Sequence, residues 1–365
     1  MRGLRALITN ELERMFRHRW ILMLVPFALA LVGYGIFVGV ELHNGYHFGS
    51  HPPPDWRAAV RSDISANQQQ IASLEQQKQQ LANQPGGGRG PFGAAGFDRA
   101  IKALQTQSDD DQYHLDHNAP PPTQDLLTEA TSVSLDFGMF VLTLVIGWLA
   151  AEMIAEERSH RTMTLLLARP ISRTQLLLAK ALTASVVGSV LVVIAVALGY
   201  VLTAIFAGNL GDPSTNVILL RDGSKPLTDS NAVVMSSMSV LALEFGLTLI
   251  SVVCLVGMSL LLSSLFKSAG VAIAVTLGFL FLVPPIFATV TQAATAFGID
   301  WVQQVTQYFW FENFEPATAI VGIGARGANT GLDHLTVSIP VLVASALVFY
   351  IGAWLLLTKR DEAST

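Results

Sequence analysis

Few residues in this chain have the types and spacing that chemistry requires. His43, His47 and His51 recur every four residues, and His114 and His117 lie three apart beside Asp116. On a helix, either spacing would present imidazoles to one metal ion. The first set is crossed by Gly45 and Gly49 and runs into Pro52, which interrupt a regular helix. Solvated loop histidines are the simpler reading, and no metal site is assigned. The stretch GGGRGPFG, residues 86–93, lacks the lysine and the preceding strand of a phosphate-binding loop, and neither G-x-x-x-x-G-K-[ST] nor H-E-x-x-H occurs in the chain. No catalytic or cofactor-binding residue is therefore assigned, and no enzyme is expected in this chain. Cys254, the single cysteine, cannot form an intrachain disulfide. What remains is one acid, Glu244, inside an apolar stretch, and a charged, proline-broken segment, EERSHRTMTLLLARPISRTQLLLAK, at residues 156–180.

The elements that hold these residues are membrane helices. With 51% hydrophobic and 13% charged residues and a mean hydropathy of +0.48, the chain is too apolar for an ordinary soluble domain. A spanning helix takes roughly 20 apolar residues, because each residue rises about 1.5 Å through about 30 Å of hydrocarbon. Six stretches qualify, which predicts an all-α polytopic membrane protein. The spans are residues 20–41, 133–155 (with Asp136 and Glu152 near its ends), 176–207, 233–265, 268–297 and 335–358. An even number puts both termini on one side.

Lys and Arg are retained in the cytoplasm. With the N-terminus inside, thirteen of the 22 basic residues flank the spans on the inner side, among them Arg14, Arg17, Arg158, Arg173 and Lys180. Of the other nine, six fall in one loop of about 90 residues, a length at which the rule stops counting. Both termini, residues 156–175 and the tail 359–365 are thus expected in the cytoplasm of a cell-membrane protein. Residues 1–19 carry Leu4, Leu7, Ile8, Leu12, Met15 and Phe16 at helical spacing, an interfacial helix leading into the first span rather than a cleaved leader.

The outer loop, residues 42–132, reads as a helical hairpin. Val60, Ile64, Ile71, Leu74 and Leu81 follow a 3.5-residue pattern interrupted by Asn67 and Lys78, which predicts a polar coiled helix of roughly 40 Å. PGGGRGPFG breaks it, and a second helix with Ile101, Leu104 and Leu115 returns antiparallel. The hairpin suits a spacing or dimerising role; substrate or partner binding is the alternative.

Residues 156–175 then join the second and third spans. RTMTLLLA forms a short helix, Pro170 stops it, and Ser172 with Gln175 makes a capping box that starts the next helix. An element fixed to two spans suits force transmission; an arginine-rich surface loop serving topology alone is the plainer reading.

The run Glu156-Glu157-Arg158, Thr162, Leu166-Leu167, Pro170-Ile171-Ser172-Arg173 and Lys180 resembles the signature of ABC-2 type transporter permeases. The general layout resembles that family over nearly the whole chain, the specific motif over about 25 residues. Arg161 stands where many members have glycine. In the family this segment is a coupling helix that docks on an ATP-binding subunit, and the N-terminal helix is an elbow. The resemblance implies that Glu156, Glu157, Arg158, Arg161, Thr162, Leu166, Arg169, Pro170 and Arg173 contact that subunit. It further implies an exporter made of two permeases, identical or homologous, with two ATP-binding subunits that hold the ATP and Mg2+. Membrane lipid is the other partner, and nucleic acid is not expected.

Three local expectations complete the reading. A central charge costs on the order of 2.5–3.5 kcal/mol in a bilayer, so Glu244 should face the translocation path, the dimer seam or a hydrogen-bonding helix. Pro284 and Pro285 should kink the fifth span beside that path. In residues 298–334, Trp301, Val305, Tyr308, Phe309 and Trp310 form an interfacial anchor, with Trp301, Phe309 and Trp310 as candidates for an exit gate. Residues 208–232 are the remaining outer loop. The rival functions are a membrane-anchored sensor or scaffold whose hairpin binds an envelope partner, and an ion-driven transporter using Glu244. Against the latter, no inverted repeat is visible.

Overall fold

The computed structural model describes residues 7–13, 56–82, 94–122, 125–159, 172–207, 212–223, 225–296, 299–314, 320 and 331–362. The first expected span (20–41), His43, His47, His51, and the linker residues Arg161, Thr162, Leu166, Arg169 and Pro170 lie outside the described residues.

Residues 7–13 are helical. Two helices, α1 (Trp56–Ala82) and α2 (Ala94–Asp116), pack together. Arg57 at the start of α1 donates to Asn118 just past α2, and Lys78 near the end of α1 pairs with Asp98 near the start of α2. The two ties fix an antiparallel hairpin, as the sequence predicts. Val60 is buried in its seam, and so is Asn67, whose Nδ2 makes no hydrogen bond among the described residues. A polar residue there costs stability and disfavours shifted registers.

Among the described residues the bundle consists of α3 (Leu126–Ser159), α4 (Arg173–Ala207), α5 (Ser237–Leu265), α6 (Ala269–Ala296) and α8 (Leu335–Glu362), with α7 (Asp300–Thr306) a short helix between the last two. Among the described residues four stretches are long and apolar enough to cross a membrane: Arg173–Leu202, Ser237–Leu265, Ala269–Thr291 and Leu332–Thr358. The second expected span lies inside α3, which at 34 residues runs about 50 Å. Asp125 opens α3: its Oδ2 accepts the N–H of Thr128 at 3.0 Å and the Thr128 hydroxyl at 2.7 Å, an N-cap.

α5 is the centre of the bundle, packing on α3, α8, α4 and α6. Val252, Leu255, Val256 and Leu260 on it are buried with Ile146 and Ile154 of α3 and Leu342 and Ala353 of α8. Small residues set the spacing. A Cβ at Gly188 would lie 2.7 Å from Val252, so α4 approaches α5 more closely than an alanine would permit. By contrast Val186, Val190, Val193, Leu198 and Val201 of α4 point outward, as a lipid-facing helix surface does.

One departure from the sequence reading has a local cause. The fourth span was expected from residue 233, but Ala232–Ser236 forms β2, antiparallel to β1 (Asn216–Leu220) with Val217 opposite Met235. β-Branched Val233 and Val234 favour the strand, and the Ser236 side chain accepts the N–H of Ser239 to cap α5 where the strand stops. Among the described residues the fold is therefore mostly helical with one small ribbon. Pro284 and Pro285 lie inside α6, and the Thr289 hydroxyl donates to the Pro285 carbonyl at 2.8 Å.

Candidate functional site at the linker between two spans

α3 ends at Ser159 and α4 begins at Arg173, and both ends of the linker 160–171 are tied into the bundle. At the α4 end, Ser172 Oγ accepts the Gln175 N–H and Gln175 Oε1 accepts the Ser172 N–H, both at 3.2 Å. This is the reciprocal capping box that the spacing predicts. The Arg173 guanidinium donates to the carbonyls of Leu357 and Thr358, both at 2.9 Å, and Trp354 Nε1 donates to Thr174 Oγ1 at 3.1 Å. A cation near the last turns of α8 is favoured by the helix dipole, so α4 starts out tied to α8.

At the α3 end, Arg158 donates to the Ser264 carbonyl, one of the last four carbonyls of α5, which lack an intrahelical donor. One turn earlier, the Ser263 hydroxyl accepts the N–H groups of Ile154 (3.2 Å) and Ala155 (3.0 Å) and donates to the Ala151 carbonyl. Ala150, Ala151 and Ala155 are fully buried there, and their small side chains let α5 reach the α3 backbone.

The third tie is ionic. Lys180 of α4 is 1% exposed, and its ammonium donates to Glu157 Oε1 at 2.6 Å, to the Met153 carbonyl at 3.0 Å and to Glu11 Oε1 at 3.3 Å. Three donors meet three acceptors, which is what makes burial of the charge tolerable. Glu157 and Glu11 are buried as well. The cluster joins α3, α4 and the N-terminal helix.

Of the residues expected to contact an ATP-binding subunit, Glu157, Arg158 and Arg173 are thus engaged within the chain, and Glu156 is half-buried. Neither Glu11 nor Lys180 was singled out as a site residue from the sequence. The available signals were a lysine inside LLLAKAL and an acid beside the apolar stripe of an arginine-rich helix.

Glu244 is fully buried near the opposite end of the bundle, and its Oε1 accepts the Ser132 hydroxyl of α3 at 2.6 Å. It lies seven residues into α5, about 10 Å along the axis. The three gate candidates separate: Trp301 is 64% and Phe309 39% exposed, whereas Trp310 is 8% exposed and sits among Phe279, Phe311, Phe314 and Phe349. Trp310 is a packing residue between α6 and α8 in this arrangement.

The hairpin rests on the β1–β2 connection. Tyr113 donates to Asp229 at 2.8 Å, His117 stacks on Tyr113 and lies 3.5 Å from Asp229, and Asp110 accepts the Leu227 N–H at 2.6 Å. Burial, then the nearby Asp63 carboxylate, pushes Asp111 up to about 7. Burial pushes His114 down to about 4, against a hydrogen bond from its ring to the Ala119 carbonyl. His114 is buried and His117 exposed, and among the described residues no group of three or more His, Cys, Asp or Glu could hold a metal.

Residues 5–361 match the family described as "ABC-2 family transporter protein". Over 256 residues the chain is 25% identical to the Bacillus subtilis (strain 168) protein "Uncharacterized protein YhcI", an alignment covering 69% of this chain and 74% of that protein.

Proposed function

Since the chain belongs to the ABC-2 transporter family, and is a multi-pass membrane permease of that type rather than an enzyme, we propose that it is the exporting half of a transporter driven by a separate ATP-binding subunit. Two permeases, identical or homologous, form the pathway, each with six spans: the four apolar helices, α3, and residues 20–41. Both termini and the linker 156–175 face the cytoplasm of the cell membrane. Two ATP-binding subunits hold ATP and Mg2+, and each docks on one linker through Arg161, Thr162, Leu166, Arg169 and Pro170, with Glu156 at the edge.

The observation that carries this reading is the convergence of polar ties on both ends of the linker. Serine, arginine and lysine contacts fasten it to α3, α4, α5, α8 and the N-terminal helix. A push on the linker is therefore delivered to most of the described bundle at once. Alternating access follows: closure of the ATP-binding subunits displaces both linkers, and the helices relay the motion to the path between the permeases. Glu157, Arg158 and Arg173 transmit the motion from inside the chain. A cation on the path could reach Glu244 between α3 and α5; Pro284 and Pro285 shape that path, and Trp301 and Phe309, with Trp310 behind them, close its exit. Leu166→Asp and Arg169→Glu test the docking: each should abolish binding of the ATP-binding subunit while leaving the permease folded. Undiminished binding would refute it.

A further inference from the structure

α4 and α5 approach closely at Gly188 and Val252, and beyond that crossing they leave a groove. Val193, Ala197 and Tyr200 line it from α4, and Met238, Leu241 and Phe245 from α5. Each set runs over seven residues of helix, about 10 Å, about a third of the hydrocarbon layer. The cavity has a volume of about 410 Å³, the size of a small-molecule site, and none of the described residues fills it. Val193 and Met238, on its two lips, are each 51% exposed, and Val186, Val190 and Val201 continue the same outward apolar face along α4. The groove therefore opens sideways onto the lipid-facing surface, not towards water. Pro213 closes the end next to the ribbon. There the Met238 N–H donates to the Pro213 carbonyl at 3.4 Å, and the Ser237 N–H and hydroxyl donate to the Thr215 carbonyl at 2.9 and 3.0 Å.

We propose that this groove holds one acyl chain of a phospholipid with an amine-bearing headgroup, resident in the leaflet on the side of the ribbon. An empty apolar groove forfeits dispersion contacts on its open side, and the medium at its mouth is hydrocarbon. A chain lying between α4 and α5 regains those contacts from two helices at once, whereas a chain along Val186 and Val190 touches one. Charge then selects the headgroup. The stretches that build this end of the bundle, residues 125–136, 190–220 and 232–245, carry Asp125, Glu129, Asp136, Asp212 and Glu244 and no lysine or arginine. Arg221 lies beyond the five residues of β1, a further 17 Å or so along the strand, and Lys225 pairs with Asp222 at 2.9 Å. The Ser214 hydroxyl and N–H donate to Asp212 at 2.6 and 2.9 Å and hold its carboxyl below the ordinary range, so the rim beside Pro213 is negative. An anionic headgroup is repelled there and an ammonium attracted.

The test reconstitutes the full-length chain in nanodiscs of phosphatidylethanolamine and phosphatidylglycerol in equal amounts, releases it in mild detergent and reads the retained lipid by native mass spectrometry. Wild type should keep one phospholipid per chain, with phosphatidylethanolamine favoured by about threefold, the scale of one exposed ion pair. A197W places a ring in the groove and should lower retention at least about fivefold, since the ring takes the chain's contacts. V186W, on the same face of α4 but outside the groove, should leave retention unchanged. D212N keeps an oxygen for Ser214 and should erase the headgroup preference while the chain stays bound. Melting of each variant checks that it is folded; if A197W is not, M238W at the exposed lip carries the same expectation. No retained lipid in wild type, undiminished retention in the groove variant, equal loss in V186W, or equal retention of the two headgroups would overturn the proposal. The measurement needs no ATP-binding subunit, so its outcome is separate from that of the docking test.

Discussion

Replacing Lys180 by methionine keeps the length and apolar stem of the side chain and removes only the ammonium. Glu157 and Glu11 then stay buried without their shared cation, and the Met153 carbonyl loses a donor. Breaking a buried ion pair by removing one partner costs about 3–5 kcal/mol, and burial of carboxylates without that cation, not the lost attraction, accounts for most of it. At about 2–4 °C per kcal/mol, the scale for a cooperative unit of 150–250 residues, K180M should lower the melting temperature of the purified chain by on the order of 10 °C. The assay is thermal unfolding in mild detergent, followed by tryptophan fluorescence. The control is K180M combined with E157L and E11L: with all charges gone, most of the loss should return, because a buried pair replaced by apolar groups is close to neutral. If K180M melts within 2 °C of wild type, or the triple variant is worse than K180M, the cluster does not hold the linker ends together.

Three further outcomes are expected. In the hairpin, Asp111 has a folded pKa raised to about 7, so it binds a proton more readily folded than unfolded; its contribution is full below about pH 4 and is lost as pH rises towards 7. His114, pushed down to about 4, works the other way: its contribution is full above about pH 6.5 and lost as pH falls to 4. D111N should therefore stabilise the chain at pH 7.5 by on the order of 2 kcal/mol and leave an acid sensitivity due to His114, read by melting across pH 4–8. E244Q keeps an oxygen for the Ser132 hydroxyl and should melt within a few degrees of wild type, while ATP turnover by the complex falls at least about fivefold if the carboxylate serves the path; unchanged turnover removes it from the mechanism. R173A gives up two charge-assisted bonds to α8 and should cost about 2 kcal/mol, with faster tryptic removal of the C-terminal tail; an unchanged cleavage rate would show that the contacts contribute nothing.

What the sequence discloses about this fold depends on range. The Ser172–Gln175 capping box is a three-residue pattern and is present as read. The hairpin follows from a periodic seam bounded by a glycine-rich break, and the interchange Arg57–Asn118 and Lys78–Asp98 confirms its antiparallel sense. The small ribbon escapes such reading because ILL and AVVM are apolar and short, and a run of that kind merges into the apolar span that follows it. The Lys180 cluster escapes for another reason. Its partners lie 23 and 169 residues away, and no local pattern shows which buried acid a lysine will meet. Ser263 looks like one of several span serines; only the position of its hydroxyl on the α3 backbone distinguishes it.

Residues 156–175 are proposed to dock an ATP-binding subunit. The most direct measurement is purification of the wild-type chain and of Arg169→Glu from native membranes in mild detergent, with mass spectrometry of what co-elutes. A soluble ATPase carrying a Walker motif, one copy per permease, should co-elute with wild type and be lost with the charge reversal. A lone oligomer, or an envelope or signalling protein in its place, would rule out docking of an ATP-binding subunit there and favour the sensor or ion-driven alternatives.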